Sequence, residues 1–156
     1  MLLVRLACVG KLKEGYWRQA VAEYEKRLSA FCRFEVVEVG EARLPGSPYP
    51  GEIRQALDRE GGQLLEKAAG TLYPLCIEGK LLDSPGIASL LGKAMQSPGA
   101  VTFFVGSSFG LGEGVKQAGQ GISMSPMTFP HQLARVMLCE QLYRGFQIIG
   151  HTRYHK

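Results

Sequence analysis

The sequence predicts an α/β fold in which a mainly parallel β-sheet carries α-helices on both faces. Short apolar runs of strand length alternate with segments of helical spacing along the whole chain, and Gly or Pro residues separate them. The 156 residues are 46% hydrophobic and 21% charged, which is typical of one globular domain. No repeat, low-complexity tract or linker divides the chain. We therefore predict a single domain over residues 1–156.

The first half of the chain predicts two strands and two helices. The apolar run Leu2–Val9 ends at a glycine, as expected of a buried strand. In Glu14–Phe31 the apolar residues fall on one helical face, whereas Phe34–Val39 alternates as a strand does. The segment from 40 to 51 contains three prolines and is predicted to be a loop. Helical spacing returns over Gly51–Ala69.

The second half predicts three more strands. Thr71–Glu78 and Ala100–Val105 are apolar and bounded by glycines, and Gln120–Met124 is a candidate for the last strand.

Two further helices complete the predicted fold. One is capped by Asp83 or Ser84 and ends near Gln96. The other is expected to be capped by Thr128, to accept a proline in its first turn and to continue to about Phe146.

Charge and cysteine content exclude some classes of protein and leave others open. The net charge of +4 fits a solvated enzyme and equally fits weak attraction to nucleic acid. Four widely spaced cysteines form no metal-ligand pattern, so no metal site is expected and a reduced, cytoplasmic setting is favoured. No apolar run approaches the roughly 18 residues needed to span a bilayer, so no membrane partner is expected.

A glycine-rich segment, Gly106–Gly114, follows the predicted strand Ala100–Val105. Ligands of α/β sheets bind beyond the carboxyl ends of strands, and glycines let backbone amides approach them closely. The segment matches neither nucleotide-binding fingerprint, since Val115 stands where G-x-G-x-x-G needs glycine and no P-loop lysine is present. A ligand loop and a simple turn into a helix are equally compatible with this segment alone.

The last 29 residues concentrate donors and proton-transfer groups. All three histidines lie there, together with four cations and one acid. These residues are His131, His151, His155, Arg135, Arg144, Arg153, Lys156 and Glu140. Taken singly each has an ordinary explanation, such as a surface i,i+4 ion pair for Glu140 and Arg144. Together with Tyr154 they could anchor phosphates and stabilise charge on a reacting base.

Several runs of the chain resemble the RlmH family of bacterial methyltransferases, which belongs to the SPOUT superfamily and modifies a pseudouridine in 23S rRNA. The similar runs extend from Val9-Gly-Lys11 to the last residue, and the C-terminal ones are the most specific. They are Leu75–Lys80, Phe104–Leu111, Met127–Arg135, Glu140–Arg144 and Tyr154–Lys156.

The resemblance implies a specific fold and activity. It implies a C-terminal trefoil knot, S-adenosylmethionine as methyl donor, and N3 of a pseudouridine in 23S rRNA as the acceptor, on the assembled ribosome. It also implies a homodimer whose active site lies at the subunit interface, with no DNA partner. Physical reasoning alone would not have predicted a knot, because true knots are rare.

The resemblance also assigns residues to roles. The cofactor residues would lie in three loops: Leu75, Gly106, and the run Ser125, Pro126, Met127, Thr128, Phe129 and Pro130. The tail residues implicated in handling the substrate would be Glu140, Arg144, Tyr154 and His155. Paired glycines are usual in the family where this chain has Gly106-Ser107, so a side chain is introduced where the backbone nears the cofactor.

The sulfonium donor is already electrophilic, so catalysis reduces to alignment and to stabilising the acceptor as it loses its N3 proton. His155 is the candidate proton acceptor, and Arg144 or Tyr154 could hold the base or a phosphate. Two other functions stay open: a knotted methyltransferase of another RNA, such as tRNA, and a non-catalytic ribosome-binding factor. A dehydrogenase is disfavoured by Val115.

Overall fold

The computed structural model describes residues 1–156 as a five-stranded sheet flanked by five helices. The strands are β1 Leu3–Val9, β2 Arg33–Val39, β3 Thr71–Leu81, β4 Ala100–Val105 and β5 Ile122–Ser123. The helices are α1 Gly15–Leu28, α2 Pro50–Glu66, α3 Ser84–Gln96, α4 Glu113–Ala118 and α5 His131–Ile149. The predicted alternation of strands and helices is confirmed along the chain.

The sheet is parallel throughout, with strand order β2-β1-β4-β3-β5. β1 pairs with β2 on one side and with β4 on the other, so strands that follow β1 in the chain lie on both sides of it. The carboxyl ends of the central strands therefore open at one edge, where α/β proteins bind ligands.

Alternate residues of β1 face two separate cores, which confirms helices on both faces of the sheet. Val4, Leu6 and Cys8 belong to the larger core, which includes residues of α1, α3 and α5. Ala7 and Val9 point the other way, into a smaller core with residues of α2 and α4. Because the residues on both faces of β1 are buried, the strand is a continuous apolar run in the sequence.

β3 continues beyond the predicted end at Glu78 because it bends around β5. Ile122 pairs with both Leu75 and Lys80, so the residues between them bulge out of the ladder. Gly79 permits the close approach, since a Cβ there would lie 2.5 Å from the backbone of Gly121 and Ile122. The bulge carries residues 76–78 towards the carboxyl edge of the sheet.

The predicted cap of α3 is confirmed, whereas the predicted cap of α5 is wrong. Asp83 accepts a hydrogen bond from the Gly86 amide at 2.8 Å. Thr128 does not cap α5, which begins at His131 after Pro130 in the N-cap position. The residue before a proline is disfavoured in the helical region, so a helix cannot readily include Phe129. α5 also continues past Phe146 to Ile149.

A buried arginine anchors α5 to the sheet. Arg135 is 1% exposed, and its Nη1 donates to Glu38 Oε2 of β2 at 2.7 Å. Its Nη2 donates to the Gly10 carbonyl after β1 at 3.0 Å. These bonds fix the first turns of α5 over the carboxyl ends of β1 and β2. None of the helices is long and apolar enough to cross a bilayer.

Glu38→Gln should destabilise the fold by about 3 kcal/mol, because it leaves the Arg135 guanidinium buried without its counter-ion. Urea denaturation measures the loss. The matched control is Glu23→Gln, which breaks a 2.7 Å pair with Arg27 on the solvent-exposed side of α1 and should cause no measurable change. Equal losses of stability in the two variants would show that the buried Arg135 does not depend on the Glu38 carboxylate.

Candidate functional site

A cavity of about 630 Å³ lies at the carboxyl ends of β3, β4 and β5. Its walls come from the bulge of β3, the loop after β4, the loop between β5 and α5, and the first turn of α5. This volume is within the range of pockets that enclose a small ligand or cofactor. With Lys116 of α4, the edge of the sheet thus supplies one concave site built from five chain segments.

Nearly all of the predicted cofactor residues line this cavity. The residues that do so are Leu75, Gly106, Ser125, Met127, Thr128, Phe129 and Pro130. Pro126 does not line it. The three loops that the resemblance singled out therefore meet in one place, although they are widely separated in the sequence.

The cavity loop accepts a side chain at 107 but not at 106. A Cβ on Gly106 would lie 2.2 Å from the Gly110 carbonyl oxygen, so any other residue would displace the loop. Ser107 is buried, its hydroxyl accepts from the Phe109 amide at 3.3 Å, and its carbonyl accepts from the Gly110 amide at 2.9 Å. The serine that replaces the usual second glycine thus lies at the position that accepts a side chain, and its hydrogen bonds tighten the turn.

A buried carboxyl lies behind this loop. Glu60 of α2 is 4% exposed, and its Oε2 accepts from the Ala42 amide at 2.9 Å. Burial raises the pKa of Glu60, and the Ala42 amide lowers it. The Glu41 carboxylate raises this pKa and the Ser107 hydroxyl lowers it, and Glu60 Oε1 has no hydrogen-bond partner. Glu60 therefore joins the loop after β2 to the back of the cavity loop.

An acid, an amine and an imidazole on the cavity wall were not assigned to the cofactor site from the sequence. Lys116 of α4 pairs with Glu78 of the β3 bulge, and this contact raises the pKa of Lys116 and lowers that of Glu78. Burial lowers the pKa of His131, which Glu41 opposes. No sequence signal connects Lys116 to Glu78, because only the bulge brings them together.

Large apolar side chains are exposed at the cavity wall. Ile77, Phe109 and Met127 are 51%, 49% and 67% exposed, and all three line the cavity. Exposed apolar groups clustered around a site are typical of a surface that is covered by a ligand or partner.

The four predicted tail residues form one cluster at the other end of α5. Arg144 Nε donates to Glu140 Oε1 at 2.7 Å, and Arg144 Nη1 lies 3.2 Å from His155 Nδ1. The Arg144 guanidinium also lies over the Tyr154 ring, 4.8 Å from its centroid. Arg144 therefore contacts the other three members at once.

Helix-terminal bonds and aromatic contacts hold the tail in place. The chain reverses at His151, whose φ is 54°, and Thr152 donates to the Gln147 side chain at 2.6 Å. The Tyr154 ring then meets Tyr143 edge to face, with centroids 4.9 Å apart. An edge-to-face pair of this kind stabilises the contact by about 0.5–1.5 kcal/mol beyond its buried area. The tail is thus an ordered part of the fold.

The tail cluster does not line the cavity of its own chain. His131 lies at the cavity wall, whereas Arg144 is 13 residues further along the same helix. At 1.5 Å per residue this separates the two by about 20 Å along the axis. The structure thus brings the predicted cofactor residues together and the predicted tail residues together, at opposite ends of α5.

The cavity fits the cofactor that the resemblance implied. The loop at Gly106 lines it, and the Ser125 and Thr128 side chains add hydroxyl groups. Apolar walls from Leu75 and Phe129 suit an adenine ring. No group of three or more His, Cys, Asp or Glu side chains is arranged to hold a metal ion.

Comparisons with known proteins identify the family of the chain. In solved structures the chain is similar to a "putative methylase family protein" from Neisseria gonorrhoeae, with 13% identity, a TM-score of 0.52, and coverage of 90% of this chain and 81% of that one. TrmJ from Z. mobilis ZM4 matches with 14% identity, a TM-score of 0.46, and coverage of 92% and 69%. The family model described as "Predicted SPOUT methyltransferase" matches residues 2–155. The chain belongs to this SPOUT methyltransferase family.

Proposed function

We propose that the protein transfers a methyl group from S-adenosylmethionine to N3 of a pseudouridine in 23S rRNA, on the assembled ribosome in the cytoplasm. The observation that carries the proposal is the cavity cradled by Gly106 and the 125–130 loop in a chain of the SPOUT family. The choice of acceptor rests on the similar C-terminal runs around Arg144 and Tyr154.

The cofactor would be held mainly by backbone groups. The loop at Gly106 and the run from Ser125 to Pro130 would contact its adenosine portion, with Leu75 packing on the ring. The bound cofactor supplies an electrophilic methyl group on a sulfonium centre. The chain contributes orientation and exclusion of water, since Phe129 and Met127 provide apolar cover.

The tail cluster would act on the acceptor. Arg144 is permanently cationic and is held by Glu140, so it presents a fixed positive charge. Tyr154 lies against it and adds a hydroxyl group. A rigid set of donors stabilises the anion that forms when N3 loses its proton. The same cations could instead contact a phosphate next to the modified nucleotide.

We also propose that the protein works as a homodimer. The tail cluster is about 20 Å along α5 from the cavity wall of its own chain, which favours its use at the cavity of a second copy. The exposed Ile77, Phe109 and Met127 would be covered by that copy. The site would then be complete only at the subunit interface.

The C-terminal knot implied by the resemblance stays a proposal as well. It is supported by the return of the chain from β5, at one edge of the sheet, to α5, which contacts both α1 and α3.

Gly106→Ala should weaken binding of S-adenosylmethionine at least tenfold, because the new methyl group would clash with the Gly110 carbonyl and push the loop away. This corresponds to about 1.4 kcal/mol or more in isothermal titration. Gly114→Ala is the matched control, since a Cβ there meets no atom within 4 Å. Tight binding by Gly106→Ala would place the cofactor elsewhere.

Deletion of the gene should remove N3-methylpseudouridine from 23S rRNA and leave other modified nucleosides unchanged. Mass spectrometry of nucleosides from purified ribosomal and transfer RNA measures this. Loss of a tRNA nucleoside instead would favour the alternative substrate. No loss, together with no binding of S-adenosylmethionine, would favour a ribosome-binding factor.

Mixing two inactive variants should restore activity if the site is shared. Gly106→Ala damages the cavity and Arg144→Ala damages the tail, so a mixed dimer contains one intact pair of cavity and tail. Random exchange should give about a quarter of the wild-type rate, because half of the dimers are mixed and each has one intact site. Single-turnover methylation of ribosomes measures it, and failure to restore any activity would indicate that cavity and tail act within one chain.

A further inference from the structure

The contact between Arg144 and His155 fixes which ring nitrogen can carry a proton. Arg144 Nη1 lies 3.2 Å from His155 Nδ1. A guanidinium has donors only, so the nitrogen that faces it must be an acceptor. A neutral imidazole has one N–H, and its proton is therefore on Nε2. In this arrangement Nδ1 is already occupied and Nε2 is a donor.

The charged groups that face the tail cluster come from α5, α1 and the tail itself. The acid in contact with this group is Glu140, and it is already bonded to Arg144. From α1, Arg27 lies over the rings of Tyr24 and Tyr143, and its own pair with Glu23 is on the exposed side. In the sequence of the tail, Arg153 and Lys156 are two further cations within two residues of His155.

We propose that His155 serves as a hydrogen-bond donor through Nε2–H, and that it does not act as the general base. This inference rests on the proposed function, and it replaces the sequence-based expectation that His155 accepts the N3 proton. With Arg144, the Nε2–H group stabilises the negative charge that spreads from N3 to the flanking carbonyl oxygens. Arg144 thus has a second role as a positioning residue, because its donation to Nδ1 holds His155 in the donor tautomer.

The chemistry balances without a protein base. The N3–H bond of the acceptor breaks, and the proton goes to water or hydroxide. The electron pair left on N3 forms the new bond to the methyl carbon. The carbon–sulfur bond breaks, and its electron pair stays on sulfur, which becomes a neutral thioether. The donors of the tail lower the energy of the anion and take up no proton themselves.

Two substitutions at 155 separate the two roles. His155→Gln retains an N–H group close to the position of Nε2 but has no basic nitrogen, whereas His155→Phe retains neither. We expect His155→Gln to stay within about tenfold of the wild-type single-turnover rate and His155→Phe to lose about 10²–10³-fold, the cost of one anion-stabilising donor. Glu66→Gln is the control, because it changes an exposed side chain of α2 on the other face of the sheet and should leave the rate unchanged. All variants should bind S-adenosylmethionine as the wild type does.

The pH profile gives an independent readout. With water or hydroxide as the proton acceptor, the logarithm of the wild-type rate should rise with pH without levelling off in the range where an ordinary histidine titrates, near pH 6.5. Nitrogen-15 NMR of the histidine rings at neutral pH should show His155 as the Nε2–H tautomer, assigned by its absence in His155→Gln. In Arg144→Ala the His155 ring should no longer prefer the Nε2–H tautomer.

The proposal is overturned if His155→Gln is as slow as His155→Phe and the wild-type rate reaches a plateau just above pH 6.5, since both results require a base. It is also overturned if His155→Phe keeps the full rate or if the ring is protonated on Nδ1. Failure of the proposed function would look different, because wild-type protein would then transfer no methyl group to ribosomes while the NMR result could still be read.

Discussion

The anchoring of α5 by Arg135 is the constraint on which the rest of the structure depends. Its buried guanidinium connects α5 to Glu38 of β2 and to the Gly10 carbonyl after β1. Removal of either side would leave charge or carbonyl groups buried without partners, which proteins tolerate poorly. The direction of α5 and its position along its own axis are therefore both fixed. As a result, both ends of the helix have defined places relative to the sheet.

From this constraint follows the division of the site into two halves. The N-terminal end of α5 closes the cavity with His131, and its C-terminal part presents Glu140 and Arg144 about 20 Å away. A rigid helix cannot shorten that distance. The cavity and the tail donors of one chain are therefore held apart, and the proposed dimer would bring the cavity of one copy to the tail of the other. In such a site permanent donors are more useful than a base, because an arginine keeps its charge at every physiological pH.

Much of the fold could be predicted from the sequence, since strand-length apolar runs and helical spacing are local signals. The limits of α5 and β3 could not. Thr128 is a good capping residue, but the proline two positions later excludes Phe129 from the helix, and this steric effect outweighs the cap. β3 ends at Leu81 because β5 pairs with it across a bulge, and that pairing is not local. The predicted cofactor residues other than Pro126 do meet in one cavity, whereas the Lys116–Glu78 pair depends on the same bulge and gave no signal.

The loop after β4 shows how a family pattern and a local structure can be reconciled. Two adjacent glycines look like one requirement, but the two positions differ physically. Gly106 faces the Gly110 carbonyl at a distance that no Cβ could occupy, whereas the Ser107 hydroxyl accepts from the turn amide of Phe109. The serine therefore adds a polar side chain that bonds within the turn, while Gly106 keeps the close backbone approach that the loop requires.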